Sequence, residues 1–543
     1  MGQMSPRSRS SCSPLACSCA CAALALLLGV TFVYPRQWTR GFLINDEAWY
    51  AEPARNIAEG RGFVTETLYP MFARDVASLP MDEPFKQAGF ALVAAWTSRA
   101  TGILNDQLFV AIAIVGLALT GAATWLLTST LLQGRAAGAV VTVATIGNPV
   151  LLACWTAALP ESIFTGLFLL GLWLLLGRSA ISRLASGLLL TISVYFKGFA
   201  VIYLPFALLF LMMERPGRRV SQSLWFAGGM GLAMGLAASV LPSAMGQVPS
   251  ASSTYAGSML LFETRGASPA VEGPFYDITP PAPFAYILGH PFDYGEKVAR
   301  MVSRTKGIVE ELGGPSFGGF LLPLLMFIAV AVIVDLASRV RRGRRSGGAR
   351  RDEGNRPAVR LLLAGLIAIN FVFFWAGNFK ARYFAHLFPL MLTAAVLELE
   401  SLVPQARAWY RSAPRPLVAV AIGYFLVLPP AIGLWKAYRD PYAYLGRMLA
   451  VRWADYGEVA ATVEANVPES EIVMTDMAHE ISWYTGRPTV FFPGDEDQVE
   501  FLLDKFAVKA LYEQPRSSRD WATLRARFKL VDERNGRFWI RRD

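Results

Sequence analysis

Two adjacent acids, Asp46 and Glu47, lie just past the first apolar run, in the stretch NDEAWYAEPARNIAEGRGF. A carboxylate pair at the edge of a bilayer stands where it can act on a substrate carried by a lipid. The same residues have a structural use: Asn45 or Asp46 can cap a helix beginning at Glu47, and Glu47 complements that helix's dipole. Capping does not compete with chemistry, because a helix start also holds a carboxylate firmly. The helix is weakly amphipathic, with Trp49, Pro53 and Ile57 on one side, and is expected to lie in the membrane interface.

Other charges sit at the ends of apolar runs. Lys86 lies in EPFKQAGFALVAAW, Glu161 in ALPESIFTGLF and Lys197 in YFKGFAVIYLP; Lys380, Arg382 and Tyr383 lie in NFKARYFAHLFPLM. Each has a plain reading as well. A glutamate favours a helix N-terminus, lysines snorkel, and basic residues beside a tyrosine anchor a span at its outer face. A cation between apolar helices is costly, which makes Lys197, at a turn between two short spans, a functional suspect. Arginine grips phosphate through two parallel hydrogen bonds, which gives Arg382 a chemistry to offer.

The elements that must position these residues are mostly membrane spans. The 543 residues are 54% hydrophobic and 17% charged, against about a quarter charged in soluble domains. Long apolar runs recur from Leu15 to Trp435, so a polytopic α-helical membrane protein is expected. Arg7 and Arg9 hold the N-terminus in the cytoplasm, and Leu15–Tyr34 reads as a retained anchor, since no cleavage site follows its core. Residues 35–84 form a polar outer loop. Spans follow near 85–102, 107–132, 158–177, 184–196, 198–213, 223–241, 318–338, 359–377, 384–402 and 416–435, with a broken stretch at 135–157. The short ones are expected as half-helices around a cavity.

Basic loops fix the sides. Arg178 and Arg183, Arg215 to Arg219, the run RVRRGRRSGGARR (339–351) and Arg407 to Arg415 lie inside. Residues 242–317, 378–382 and the tail then lie outside. Residues 85–157 must cross an even number of times, yet show three segments, so the total is about 11 or 13 spans.

The net charge of +10 resides largely in those inside loops, and no aromatic–basic platform accompanies it, which excludes nucleic acid as a partner. Four of the five cysteines crowd the start of the first span and Cys154 lies in another, so no disulfide framework is indicated. Only three histidines exist, which excludes an all-histidine metal site. The outer loop 242–317 reads as a partly ordered lid with an amphipathic segment at 293–311.

From about residue 440 the pattern changes. EIVMTD (471–476), PTVFFP (488–493) and VKALYE (508–513) read as short buried strands. Helical patterns fall at 479–485, 497–506 and 519–528, and a hairpin turns at Asn535-Gly536. Residues 440–543 are therefore expected to form a small extracytoplasmic α/β domain after a membrane domain at 1–439.

The stretch NDEAWYAEPARNIAEGRGF resembles the first outer loop of the GT-C glycosyltransferases, in particular bacterial lipid-linked sugar transferases related to the aminoarabinose transferase and the protein O-mannosyltransferases. Asp46-Glu47, Tyr50-Ala51 and Ala54-Arg55 match in order. The resemblance implies a multi-span bundle, often with an outer α/β domain, in a bacterial cytoplasmic membrane. It implies transfer of a sugar from a polyprenyl-phosphate carrier to a lipid, glycan or protein acceptor, with inversion. Asp46 would be the base and Glu47 a helper or metal ligand. Glu161 matches a second acidic position, Lys197 a lysine near the lipid phosphate, and Lys380, Arg382 and Tyr383 a late Arg-Tyr pair. Lys86 stands where relatives carry Lys-Pro-Pro, but Gln87-Ala88 replace the prolines here. Many relatives need no metal, and a divalent cation between Glu47 and Glu161 would suit two acids facing one cavity. Two other readings fit a polytopic chain: a transporter or flippase of a lipid-linked sugar, and an inactive scaffold of an envelope complex.

Overall fold

The computed structural model describes residues 13–30, 42, 45–69, 76, 78–83, 86–132, 135–148, 151, 154, 158–213, 219–240, 283–305, 356–376, 381–402, 456–493, 496–514, 522–533 and 536–542. The expected spans at 318–338 and 416–435, the basic run at 339–351 and Lys380 lie outside them.

Apolar runs with few charges form helices because a helix satisfies its own backbone in lipid. The chain opens with α1 (Pro14–Leu28), capped by the Ser13 side chain, which accepts from the Ala16 amide. The first loop contributes α2 (Asn45–Ala58). Then follow α3 (Ala88–Thr101), α4 (Asp106–Leu131), α5 (Arg135–Ile146), α6 (Glu161–Leu176) and α7 (Ala180–Val194). The run expected at 198–213 begins as a 3-10 helix, Gly198–Tyr203, before α8 (Leu204–Met212). Helices α9 (Arg219–Val240), α10 (Pro283–Gly289), α11 (Pro291–Ser303) and α12 (Arg356–Ala376) come next. A second 3-10 helix, Ala381–Leu387, leads into α13 (Phe388–Leu402). Among the described residues, α4 and α9 are long and apolar enough to cross a membrane, and the other apolar helices are shorter.

Polar contacts tie the bundle where apolar surface cannot. Thr120 Oγ1 donates to the Ser162 carbonyl at 2.9 Å, joining α4 to α6. Arg360 Nε meets Glu398 Oε1 at 2.8 Å, joining α12 to α13. Arg183, expected in a solvated loop, is instead fully buried in α7. It donates to Gln222 Oε1 at 3.0 Å and to the Leu175 carbonyl, so it links three helices.

The tail forms α14 (Tyr456–Asn466), β4 (Ile472–Thr475), α15 (Ala478–Thr485), β5 (Thr489–Phe491), α16 (Glu496–Lys505), β6 (Val508–Glu513), α17 (Ala522–Arg527), β7 (Phe528–Asp532) and β8 (Arg537–Arg541). Within the described residues the expected strands and helices fall in place, except that Phe528 opens β7 rather than ending a helix; residues 519–521 and Asn535 lie outside them. The sheet order is β2-β5-β4-β6-β8-β7, and β2 (Thr67–Leu68) belongs to the first loop. Thr67 and Leu68 pair in parallel with Thr489 and Val490. A domain boundary at 440 therefore leaves out one strand of the sheet. Alternate residues point to opposite faces: Met474, Val490 and Leu511 pack with Leu68 on one, Val473 and Ala510 with Val463 on the other. The first loop also holds β1 (Val64–Thr65) paired antiparallel with β3 (Met81–Asp82).

The expected interfacial position of α2 is corrected by its burial. Ala48, Ala51, Ala54 and Ile57 are buried, and so are Glu47, Glu52 and Asn56. Its moment is weak because α3 covers one side and α15 of the tail the other, not because it lies on lipid.

Candidate functional site

Asp46 and Glu47 occupy the first turn of α2, which starts at Asn45. Asp46 is thus inside the helix rather than its cap. Lys86 Nζ stands 2.7 Å from Asp46 Oδ1, with both side chains mostly buried. The same ammonium lies 3.7 Å above the Trp49 ring and 4.8 Å from the Tyr50 ring. Glu83 Oε1 accepts from the Lys86 amide at 3.0 Å and from Trp49 Nε1 at 3.2 Å. One turn of α2 and the segment before α3 are thereby fastened together around a carboxylate and an ammonium.

A second pair lies on other elements. Glu161 opens α6, Lys197 precedes the first 3-10 helix, and Lys197 Nζ is 2.8 Å from Glu161 Oε1. Both are buried. The contact is one of charge, since neither oxygen of Glu161 meets a well-directed hydrogen bond among the described residues. Gly89 joins the two pairs: its amide donates to the Tyr195 carbonyl at 2.8 Å. A Cβ at Gly89 would stand 2.7 Å from that carbonyl oxygen and 2.9 Å from Phe196 Cδ2. Gly89→Ala must therefore push Lys86 and Lys197 apart. We expect it to destabilise the protein by about 1–3 kcal/mol, read by thermal unfolding in detergent.

Arg382 and Tyr383 lie in the 3-10 helix Ala381–Leu387, whose His386 packs on Phe164 of α6 at 5.0 Å between ring centres. That helix carries a cluster which sequence reasoning missed. Tyr203 Oη donates to Asn370 Oδ1 at 2.5 Å and stands 2.5 Å from His386 Nε2.

The tail reaches the site through α15. His479 Nδ1 is 3.0 Å from Glu52 Oε2, and its Nε2 meets the Tyr69 hydroxyl. Glu52 also accepts from Thr65 Oγ1 and Thr67 Oγ1, each at 2.9 Å, and from the Glu66 amide. Arg55 Nη1 donates to the carbonyls of Ser482 and Trp483, both at 3.1 Å. Asp106 accepts from Trp483 Nε1 at 2.7 Å and Tyr484 Oη at 2.6 Å. Burial first, and then the Asp106 charge, push the Tyr484 phenol far up, so it stays a donor. Gly486, at φ 68°, ends α15 in the left-handed conformation a glycine adopts without strain.

No protein-family model matches the chain, and no curated protein is similar to it by sequence. Solved structures do match. The Archaeoglobus fulgidus oligosaccharyltransferase, in complex with Zn and sulfate, superposes with a TM-score of 0.56 at 16% identity, over 91% of this chain and 68% of that one. ArnT from Cupriavidus metallidurans bound to undecaprenyl phosphate gives 0.54 at 14% identity, over 96% and 97%. Its apo state gives 0.51 at 15%. The chain has a GT-C-type fold.

Within this GT-C fold four of the sequence-predicted residues, Asp46 with Lys86 and Glu161 with Lys197, form two ion pairs at helix starts. Metal ligation fits them poorly. Among the described residues no group of three His, Cys, Asp or Glu side chains could hold a metal. An ammonium already stands against Glu161 and against Asp46.

The join between the GT-C bundle and its tail is expected to weaken in acid. Burial pushes the His479 imidazole down, outweighing the Glu52 hydrogen bond and charge. Burial works to raise the Glu52 carboxyl, but the His479 hydrogen bond, the Arg55 charge and the Thr65 hydrogen bond outweigh it and hold it below the usual range. The pair is a carboxylate beside a neutral ring. An unfolded histidine takes up its proton near 6.5 while the buried one does not. The unfolded state then binds more protons, so stability is lost as pH falls below that value, by up to about 1.4 kcal/mol per pH unit. The Glu52 contribution is lost only further down, as pH falls from 4.5 through its lower folded value. We expect the melting temperature to fall between pH 7 and 5, and this fall to shrink in His479→Asn.

Proposed function

We propose that this chain is an inverting glycosyltransferase that moves a monosaccharide from a polyprenyl-phosphate carrier to an acceptor hydroxyl on a lipid, glycan or protein outside the membrane. The observation that carries the reading is the Asp46–Lys86 pair at 2.7 Å on the first loop of a GT-C fold. The donor class is supported by ArnT, whose structure holds undecaprenyl phosphate.

In this reading the acceptor oxygen attacks the anomeric carbon from the face opposite the phosphate. Asp46 takes the hydroxyl proton as the new C–O bond forms. The bond to the phosphate oxygen breaks, and its electron pair leaves with the polyprenyl phosphate. Lys197 and Arg382 meet that charge, and Glu47 supports Asp46 from the same helix turn. The N-terminus lies in the cytoplasm of a bacterial cell, the bundle spans its cytoplasmic membrane, and the tail lies outside. A flippase would set its charges near the bilayer midplane on broken helices. Asp46, Lys86, Glu161 and Lys197 stand instead at helix starts.

The test is full-length protein in proteoliposomes with a radiolabelled polyprenyl-phosphate sugar and an envelope glycolipid fraction. Label reaching the acceptor with wild type but not with Asp46→Asn is the expected result. Translocation of a fluorescent lipid-linked sugar without acceptor, equal in both proteins and with no transfer, overturns the reading.

A further inference from the structure

We propose that His479, in the tail, is a positioning residue for the transfer step: it holds Trp49, and through Trp49 the Lys86–Asp46 pair. The inference rests on the reading above for what the pair does, but not for how it is held.

His479 lies in the first turn of α15, just past the carboxyl end of β4, and is fully buried. Its hydrogen bonds fix the tautomer. Glu52 is a carboxylate and accepts, so Nδ1 carries the proton; Nε2 then accepts from the Tyr69 hydroxyl. With both nitrogens engaged, the ring cannot rotate. Its plane lies within 16° of the Trp49 ring, at 4.8 Å between centres. Trp49 is the residue over which Lys86 Nζ sits at 3.7 Å, and Lys86 is the residue that holds Asp46. Tyr69 continues the stack onto Phe491 of β5, at 5.1 Å and 26°. An aromatic column thus runs from the tail's sheet to the ammonium beside the acid.

The tail has other attachments besides this column. Arg55 grips the Ser482 and Trp483 carbonyls, Asp106 binds Trp483 and Tyr484, and β2 extends the sheet. The contacts of His479 add orientation to a tail already fastened by those. A displacement of about 1 Å at reacting groups is enough to slow a reaction by orders of magnitude.

His479→Asn keeps a donor toward Glu52 and removes the ring beneath Trp49. The expected result in the full-length protein is a fall in kcat of about tenfold or more with the donor KM within about twofold. A several-fold faster acylation of Lys86 by an amine reagent, read by mass spectrometry, should accompany it. Tyr69→Phe, which releases Nε2 of the His479 ring and leaves Trp49 and Lys86 in place, carries the same test if His479→Asn does not fold. Unchanged acylation of Lys86, or a KM rise with kcat intact, overturns the inference. If wild type transfers no sugar, the functional reading fails, and the acylation measurement alone judges whether His479 positions Lys86.

Discussion

Asp46→Asn is expected to lower the rate of sugar transfer by about 10²–10⁴-fold, the range for loss of a positioned general base, which is about 3–5 kcal/mol of barrier. The substitution is nearly isosteric. An amide oxygen can still face Lys86 Nζ, which lies 2.7 Å from Asp46 Oδ1, and the first turn of α2 keeps Glu47 for its dipole. Stability should fall by about 1–3 kcal/mol, since the mostly buried Lys86 ammonium loses a charged partner but keeps the amide oxygen and the Trp49 and Tyr50 rings. Initial rates on an acceptor and thermal unfolding of the same preparations check both halves. A stable Asp46→Asn protein that transfers at the wild-type rate removes Asp46 as the base.

Lys197 stood out in the sequence because a cation between apolar helices is costly and must be met by a partner; that the partner is Glu161 is shown only by the fold. The strands of the tail were legible for a different reason: IVMT and VKALYE alternate between two buried faces. The strand β2 was not, because two residues carry no period. The burial of α2 was not, because a helix covered on two sides by different elements has little moment to read. His479 was hidden by distance, since Glu52 lies 427 positions away. The Tyr203–Asn370–His386 cluster was hidden in the same way, spread over three separate elements of the bundle. Local pattern shows what a residue costs to place; only the fold shows which partner meets that cost.

The Glu161–Lys197 pair allows stability and chemistry to be separated. Glu161→Leu removes one half of a buried ion pair, the carboxylate 2.8 Å from the Lys197 ammonium, and we expect a loss of about 3–5 kcal/mol of stability. Any loss of transfer in that variant is uninformative, because the turn before the first 3-10 helix would rearrange. The double variant Glu161→Leu/Lys197→Met removes both charges and replaces them with apolar groups of similar volume. Such replacements of buried pairs are commonly neutral or stabilising, so the double variant should unfold near the wild-type temperature. It should nevertheless transfer sugar at least about 10²-fold more slowly, because a preorganised cation at a departing phosphate contributes on that scale. A wild-type rate in the well-folded double variant would mean that the pair serves only to join α6 to the turn at Lys197, and that the leaving phosphate is met elsewhere.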